Sequence, residues 1–266
     1  MLNQLDLCSR IGSGFPLAGL QIGGLRLCGL AEMDLYCRDI LSKRFPGIYN
    51  YGNLKTLLSG RERNCFEISE TIDLITAAPP KQAFCKLRGI SDPKDCLFDI
   101  IRVVGKFQPN FWAIETVPEL LKCPYEPQSK TAYAYYFFRE IDRLGYDAEW
   151  LVVSSGQWGS PLRRERLLLV GYSRELFDSN LRPRTWVEQF RNEVETVERF
   201  VPKGVSQSDP ARGLLQFARR LDRPLGVPSG YRTHCYSKKA LESILDPRIA
   251  AIALRRILYL NSLIEE

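Results

Sequence analysis

Asp6-Leu7-Cys8-Ser9-Arg10-Ile11-Gly12-Ser13-Gly14 is the end of a short apolar run, Leu5–Leu7, breaking into a glycine-bearing turn just before a helical stretch that reaches Leu20. A strand that ends in such a turn and feeds straight into a helix opens a βα unit. The alternation continues downstream. Leu25–Glu32 reads as a second strand, and Tyr36–Phe45 as a helix with apolar positions three and four residues apart. Asp73–Ala77 is a strand running into Pro79-Pro80, Cys96–Phe107 a helix and Phe111–Glu115 a strand. Ala132–Leu144 reads as a helix stopped by Gly145, followed by strands at Glu149–Ser154 and Leu167–Tyr172. Strands alternating with helices predict an α/β fold, a doubly wound, mostly parallel sheet covered on both faces.

After Tyr172 the texture changes. Residues 173–232 are rich in charge, Pro and Gly, with short amphipathic pieces such as Trp186–Phe200. A last helix over Pro247–Leu263 carries apolar residues at helical spacing and is expected to pack back on the first sheet. The expected organisation is a main domain over 1–172, a small insert over 173–236 and a returning segment over 237–266. No internal repeat or long linker interrupts it.

Composition narrows the classes. The chain has 266 residues, 45% hydrophobic and 26% charged, which excludes disordered, fibrous and low-complexity proteins. No apolar run approaches the roughly 18 residues of a membrane span, and the opening MLNQLDLCSRIGSG lacks the basic start and apolar core of a signal peptide. Eight cysteines at scattered spacings read as free thiols in a reducing cytoplasm. One histidine, His234, cannot build a multi-His metal site, so no metal is expected. Lys and Arg exceed Asp and Glu by 37 to 31, a charge of +6 that permits a nucleic-acid partner without requiring one.

Seven segments, in order, resemble the blocks of the DNA (cytosine-5) methyltransferase family. Asp6–Gly14 resembles the strand and glycine loop that holds S-adenosylmethionine, and Glu32-Met33-Asp34-Leu35-Tyr36-Cys37-Arg38 the second strand, whose acidic end binds ribose hydroxyls. Tyr51-Gly52-Asn53 resembles the next block. Asp73–Phe84, containing Pro79-Pro80-Lys81-Gln82, resembles the catalytic loop. Glu115-Thr116-Val117 resembles the glutamate block, and Leu162-Arg163-Arg164-Glu165-Arg166 the arginine block. Lys239–Pro247 resembles the last block, which returns to the cofactor. The resemblance implies a sheet of the class I S-adenosylmethionine-dependent methyltransferase type with DNA as partner. It assigns cofactor binding to Asp6, Arg10, Gly12, Glu32, Asp34, Asn53 and Pro79, and catalysis to Lys81, Gln82, Glu115, Arg164 and Arg166.

The chemistry says which of these matter. A cytosine inside a duplex is flipped into a pocket. A cysteine thiolate then adds to ring carbon 6 and makes carbon 5 nucleophilic. A glutamate holds the base edge, and arginines stabilise developing charge. Where the family has Pro-Cys-Gln, this chain has Pro80-Lys81-Gln82. Other departures fall in the same blocks. Arg10 stands for the first glycine of the cofactor loop, Asn53 for the acidic residue that contacts adenine, and Glu242-Ser243 for a Gly-Asn pair. Leu162 stands for a glutamine and Thr116 for an asparagine.

Several readings stay open. Lys81 is an ion-pair partner of Glu115, an amine nucleophile freed by desolvation and neighbouring arginines, or a bystander to catalysis moved to Cys85. Glu32 and Asp34 are ribose ligands, a helix N-cap, or partners of Arg10 in a salt bridge closing the site. Arg163, Arg164 and Arg166 face phosphates or form a solvated strand edge. The insert, about 60 residues, carries Arg212, Arg219, Arg220, Arg223 and Arg232 and suits phosphate contact better than independent reading of base edges. The expected function is a catalytically disabled homologue serving as a DNA-binding or protein-partner module, beside an active methyltransferase or restriction component. The alternative is an active cytosine-5 methyltransferase with a substituted nucleophile or a complementing subunit.

Overall fold

A computed structural model describes residues 1–59, 71–80, 96–125, 128–158, 164–177, 183–196 and 245–265. Its strands are β1 (Leu2–Leu7), β2 (Leu25–Ala31), β3 (Leu74–Ala77), β4 (Phe111–Thr116), β5 (Tyr146–Ser154) and β6 (Glu165–Ser173). Its helices are α1 (Phe15–Ile22), α2 (Leu35–Arg44), α3 (Leu54–Ser59), α4 (Leu97–Phe107), α5 (Tyr133–Arg143), α6 (Trp186–Thr196) and α7 (Pro247–Glu265). Three short 3₁₀ turns lie among the described connections.

The strands form one six-stranded sheet in the order β2-β1-β3-β4-β6-β5. β2, β1, β3 and β4 pair in parallel, and β6 runs antiparallel to both its neighbours, so β5 again points with the first four. The expected mostly parallel sheet is present, with β6 as its reversed strand. From β1 the chain first crosses to β2 on one side and later to β3 on the other. That reversal leaves a crevice at the carboxyl ends of β1 and β3, where open α/β sheets place their ligands.

Alternation along the central strands divides the core into two layers. Ile75, Trp112, Ile114, Leu167 and Leu169 face one way with α4 and α5. Leu74, Phe111, Ala113, Leu168 and Val170 face the other way with α1 and α7. Burying side chains of this size stabilises by about 1.5–3 kcal/mol each, so both faces are strongly determined. Trp112 lies across β4 onto Gly171 of β6, its registered partner. A Cβ built on Gly171 would sit 2.0 Å from the indole, so only glycine admits the ring in this position.

The returning helix α7 packs against α1, β4 and β6, as its apolar spacing predicts. Arg256 on α7 is fully buried, and each of its three nitrogens has an acceptor. Its Nε and Nη2 donate to Glu149 at 3.0 and 2.7 Å, and Nη1 donates to the Arg184 carbonyl and to Gln189 at 2.8 and 3.2 Å. These bonds tie residues 184–189, which fall in the span read from sequence as an insert, to β5 and α7. The amphipathic piece Trp186–Phe200 is helical over its described part, Trp186–Thr196, as α6. Residues 197–236, with the arginine cluster and His234, lie outside the described residues.

Candidate active site

Parallel strands deliver the cofactor and catalytic blocks to one edge of the sheet. β1, β2, β3 and β4 all end there, and β6, running the other way, begins there with Glu165 and Arg166. The resemblance blocks that are distant in sequence thus become neighbours along a single rim.

Asp6 lies on β1 in register with Thr76 of β3 and is buried. The Thr76 hydroxyl donates to Asp6 Oδ1 at 2.6 Å and accepts from Gln4 Nε2 at 2.8 Å. Burial pushes the Asp6 carboxyl up to about 7, helped by the nearby Glu32 charge and opposed by hydrogen bonds from Thr76 and Ser9. The Ser9 hydroxyl also donates to the Asp6 carbonyl at 2.9 Å, fixing the turn that follows.

That turn is tight. Cys8 and Arg10 both have φ of 53°, the left-handed region that favours glycine, and Gly12 has φ of 71°. Arg10 therefore occupies a glycine-type conformation while carrying a long side chain. A Cβ on Gly12 would lie 2.4 Å from the Phe45 ring, and one on Gly14 would lie 2.8 Å from Leu245 Cδ2. The missing side chains of both glycines are thus filled by the protein's own apolar groups. Arg44 Nη1 donates to the Ile11 carbonyl at 2.6 Å and holds the turn from outside.

Glu32 is buried just beyond β2, and main-chain groups take up both of its oxygens. The Arg10 N–H donates to Oε2 at 2.8 Å and the Asp34 N–H to Oε1 at 2.9 Å. Asp34 is the N-cap of α2, its Oδ1 accepting from the Cys37 N–H at 3.1 Å. The N-cap reading thus holds for Asp34, and the Arg10–Glu32 link is made by the main chain. Asn50 supports the same corner, its Oδ1 accepting from the N–H groups of Glu32 and Gly52 at 3.0 and 2.9 Å. Asn53 is exposed, and its Oδ1 accepts from the Lys55 N–H at 2.9 Å in the first turn of α3.

On the other side of the crevice Glu115 has no exposed surface, and its Oε1 lies 3.3 Å from Arg166 Nε on β6. Arg166 is itself buried. This corrects the reading of Arg166 as phosphate-facing or as part of a solvated strand edge: the guanidinium is turned inward to a carboxylate across the strands. Arg164 is half-buried where β5 and β6 meet, its N–H donating to Ser155 Oγ at 2.9 Å and its carbonyl accepting from the Ser155 N–H. Pro79 is buried at the end of β3. Lys81, Gln82, Cys85, Arg163 and Glu242 lie outside the described residues.

Residues 2–212 match the profile of the C-5 cytosine-specific DNA methylase family. The chain belongs to that family. Among curated relatives of the chain, the type II methyltransferase M.Sau3AI of Staphylococcus aureus is 28% identical over 146 residues, covering 52% of this chain and 34% of that protein. M.HpaII of Haemophilus parainfluenzae is 31% identical over 173 residues, covering 63% of this chain and 45% of that protein. The chain thus spans less than half the length of these relatives. Among solved structures, DNMT2 of Spodoptera frugiperda superposes with a TM-score of 0.59 at 10% identity, covering 98% of this chain and 99% of that one. S. pombe Dnmt2 methyltransferase gives 0.56 at 14% identity, covering 98% and 99%. At such identities these two likenesses speak to the fold, which is the class I methyltransferase sheet.

Family members generally use S-adenosylmethionine and act on DNA. Among the described residues no helix is long and apolar enough to cross a membrane, and no cluster of three metal-ligating side chains occurs. Sequence reading missed the residues that hold the site in place. Gln4, Thr76, Asn50 and Ser155 are small polar positions inside or beside strands, and nothing in their spacing separates them from ordinary loop residues.

Proposed function

We propose that this DNA methylase homologue is catalytically disabled and serves as a DNA-binding or protein-partner module. The observation that carries the reading is Pro80-Lys81-Gln82 in the position of the family's Pro-Cys-Gln. A thiolate at that point attacks the pyrimidine, whereas an ammonium has no free electron pair and cannot. Ion pairing keeps a lysine in that charged state.

The cofactor edge supports the same conclusion. A glycine turn grips a nucleotide because bare backbone lets the ligand approach closely. Here Arg10 stands at the first glycine position, and the bare faces of Gly12 and Gly14 meet Phe45 and Leu245. Both Glu32 oxygens already accept main-chain bonds. The described residues do not fit S-adenosylmethionine.

A second reading has its own support: the buried Glu115–Arg166 pair stands where the resemblance puts the base-holding glutamate and its arginine. That favours an active enzyme whose nucleophile is substituted or whose missing parts come from another subunit. Calorimetry of the purified chain with S-adenosylmethionine and its demethylated product separates the two. The disabled reading predicts no heat of binding with either compound while DNA or a partner is still bound. Saturable cofactor binding at micromolar concentration would favour the enzyme.

A further inference from the structure

Cys8 and Cys96 are far apart in sequence and meet in space. Cys8 follows β1 in the glycine turn, and Cys96 is the N-cap residue of α4. Their sulfurs are 3.6 Å apart in an S–H···S contact that bridges 88 positions of sequence, and both residues are half-buried. The other described cysteines are placed differently. Cys28 and Cys123 donate to main-chain carbonyls, and Cys37 is buried in α2.

We propose that Cys8 and Cys96 form a redox-responsive pair, closing to an intramolecular disulfide when exposed to a disulfide oxidant such as oxidised glutathione. The bond would fasten the turn bearing Arg10 to the first turn of α4. Closure brings the sulfurs to about 2.05 Å, a movement of roughly 1.5 Å shared by two unbranched side chains.

The chemistry balances in two exchanges. The Cys96 thiolate attacks a glutathione sulfur and expels one glutathione thiolate. The Cys8 thiolate then attacks the Cys96 sulfur of the mixed disulfide and expels the second. The two thiol protons pass through solvent to the two glutathiones, and the protein's two electrons reduce the glutathione disulfide. The hydrogen bond with Cys96, then burial, hold the Cys8 thiol well above the usual cysteine range, while the Arg10 charge lowers it. The first attack therefore falls to Cys96, and Cys8 closes the ring.

What the closed form changes is local. Cys8 is two residues from Arg10, whose N–H holds Glu32. The linked turn can no longer move independently of α4. Because the cross-link closes a long loop, it also restricts the unfolded chain and raises thermal stability. None of this depends on whether the site methylates, binds or does neither.

The test uses the full reduced chain equilibrated at graded ratios of oxidised to reduced glutathione. Samples are quenched with acid, alkylated and mapped by peptide mass spectrometry. A Cys8–Cys96 linked peptide should accumulate with the oxidant, vanish with dithiothreitol, and be absent in Cys8→Ser and Cys96→Ser. The melting temperature should rise by several degrees on oxidation in the unsubstituted chain and stay fixed in Cys8→Ser. Recovery of Cys8 and Cys96 as free thiols or separate glutathione adducts, at ratios that modify the other cysteines, would overturn the proposal. So would a linked peptide joining either to a third cysteine. Mapping of the unsubstituted chain decides this even if a serine variant fails to fold.

Discussion

Glu115 and Arg166 sit on adjacent strands with almost no exposed surface between them, 3.3 Å apart. Removing the cation from a buried ion pair strands its partner, at a cost of about 3–5 kcal/mol. Arg166→Met should therefore lose about that much in urea unfolding, and adding Glu115→Gln should recover a large part of it. Additive losses would mean that the two groups do not act as a pair. Asp6 makes a different prediction. Its folded carboxyl titrates near 7 through burial, against about 3.9 for an unfolded aspartate. The native state thus holds a proton that the unfolded chain releases. The stability this proton provides is complete below about pH 4 and is lost as pH rises through 7. Asp6→Asn should remove that slope, so the variant should gain on the parent between about pH 4 and pH 7 in parallel unfolding curves. Parallel pH dependences in the two proteins would show that Asp6 does not carry the shift.

At the scale of elements, the apolar runs announce nearly every strand, but they place the ends poorly. β1 begins at Leu2 because Asn3 and Gln4, polar in sequence, find partners in the sheet: the Asn3 N–H donates to Asp73 and Gln4 reaches Thr76. β5 begins at Tyr146, three residues before the apolar reading starts, because it is an edge strand that tolerates Asp147 and Glu149. α3 is only six residues long and leaves too short a pattern to recognise. Arg256 is the clearest omission. A charged residue on a returning helix reads as surface, yet it is fully buried with Glu149, Arg184 and Gln189 around it, and no local spacing foretells partners 67 to 107 residues away. The Trp112–Gly171 contact was equally silent, since the glycine matters only through a registered neighbour on β4. Gly171→Ala should lower stability by about 1–3 kcal/mol through overpacking, read as a fall in melting temperature with the far-ultraviolet spectrum unchanged. An unaltered melting temperature would mean that the indole has room to move aside.

For the whole molecule, seven short blocks in order made the fold legible, because several of them lie at strand ends that the sheet order brings to one rim. The site was only half legible. Its charged members could be named from sequence, whereas the direction of Arg166 and the main-chain bonds that occupy Glu32 emerge only when β1, β2 and the strands around β4 are assembled. That assembly bears on restoring activity. Lys81→Cys supplies the absent sulfur but leaves Arg10 in the turn and Glu242 in the last block. The variant should remain without methyl transfer, and activity from this single change would refute the claim of a degraded cofactor edge. The most direct measurement is simpler. The purified, unsubstituted chain is incubated with cytosine-containing duplex DNA and S-adenosylmethionine carrying a tritiated methyl group, with a known methyltransferase as positive control. The account predicts no tritium in the DNA above background at any enzyme concentration; tritium recovered as 5-methylcytosine in proportion to the protein added would contradict it.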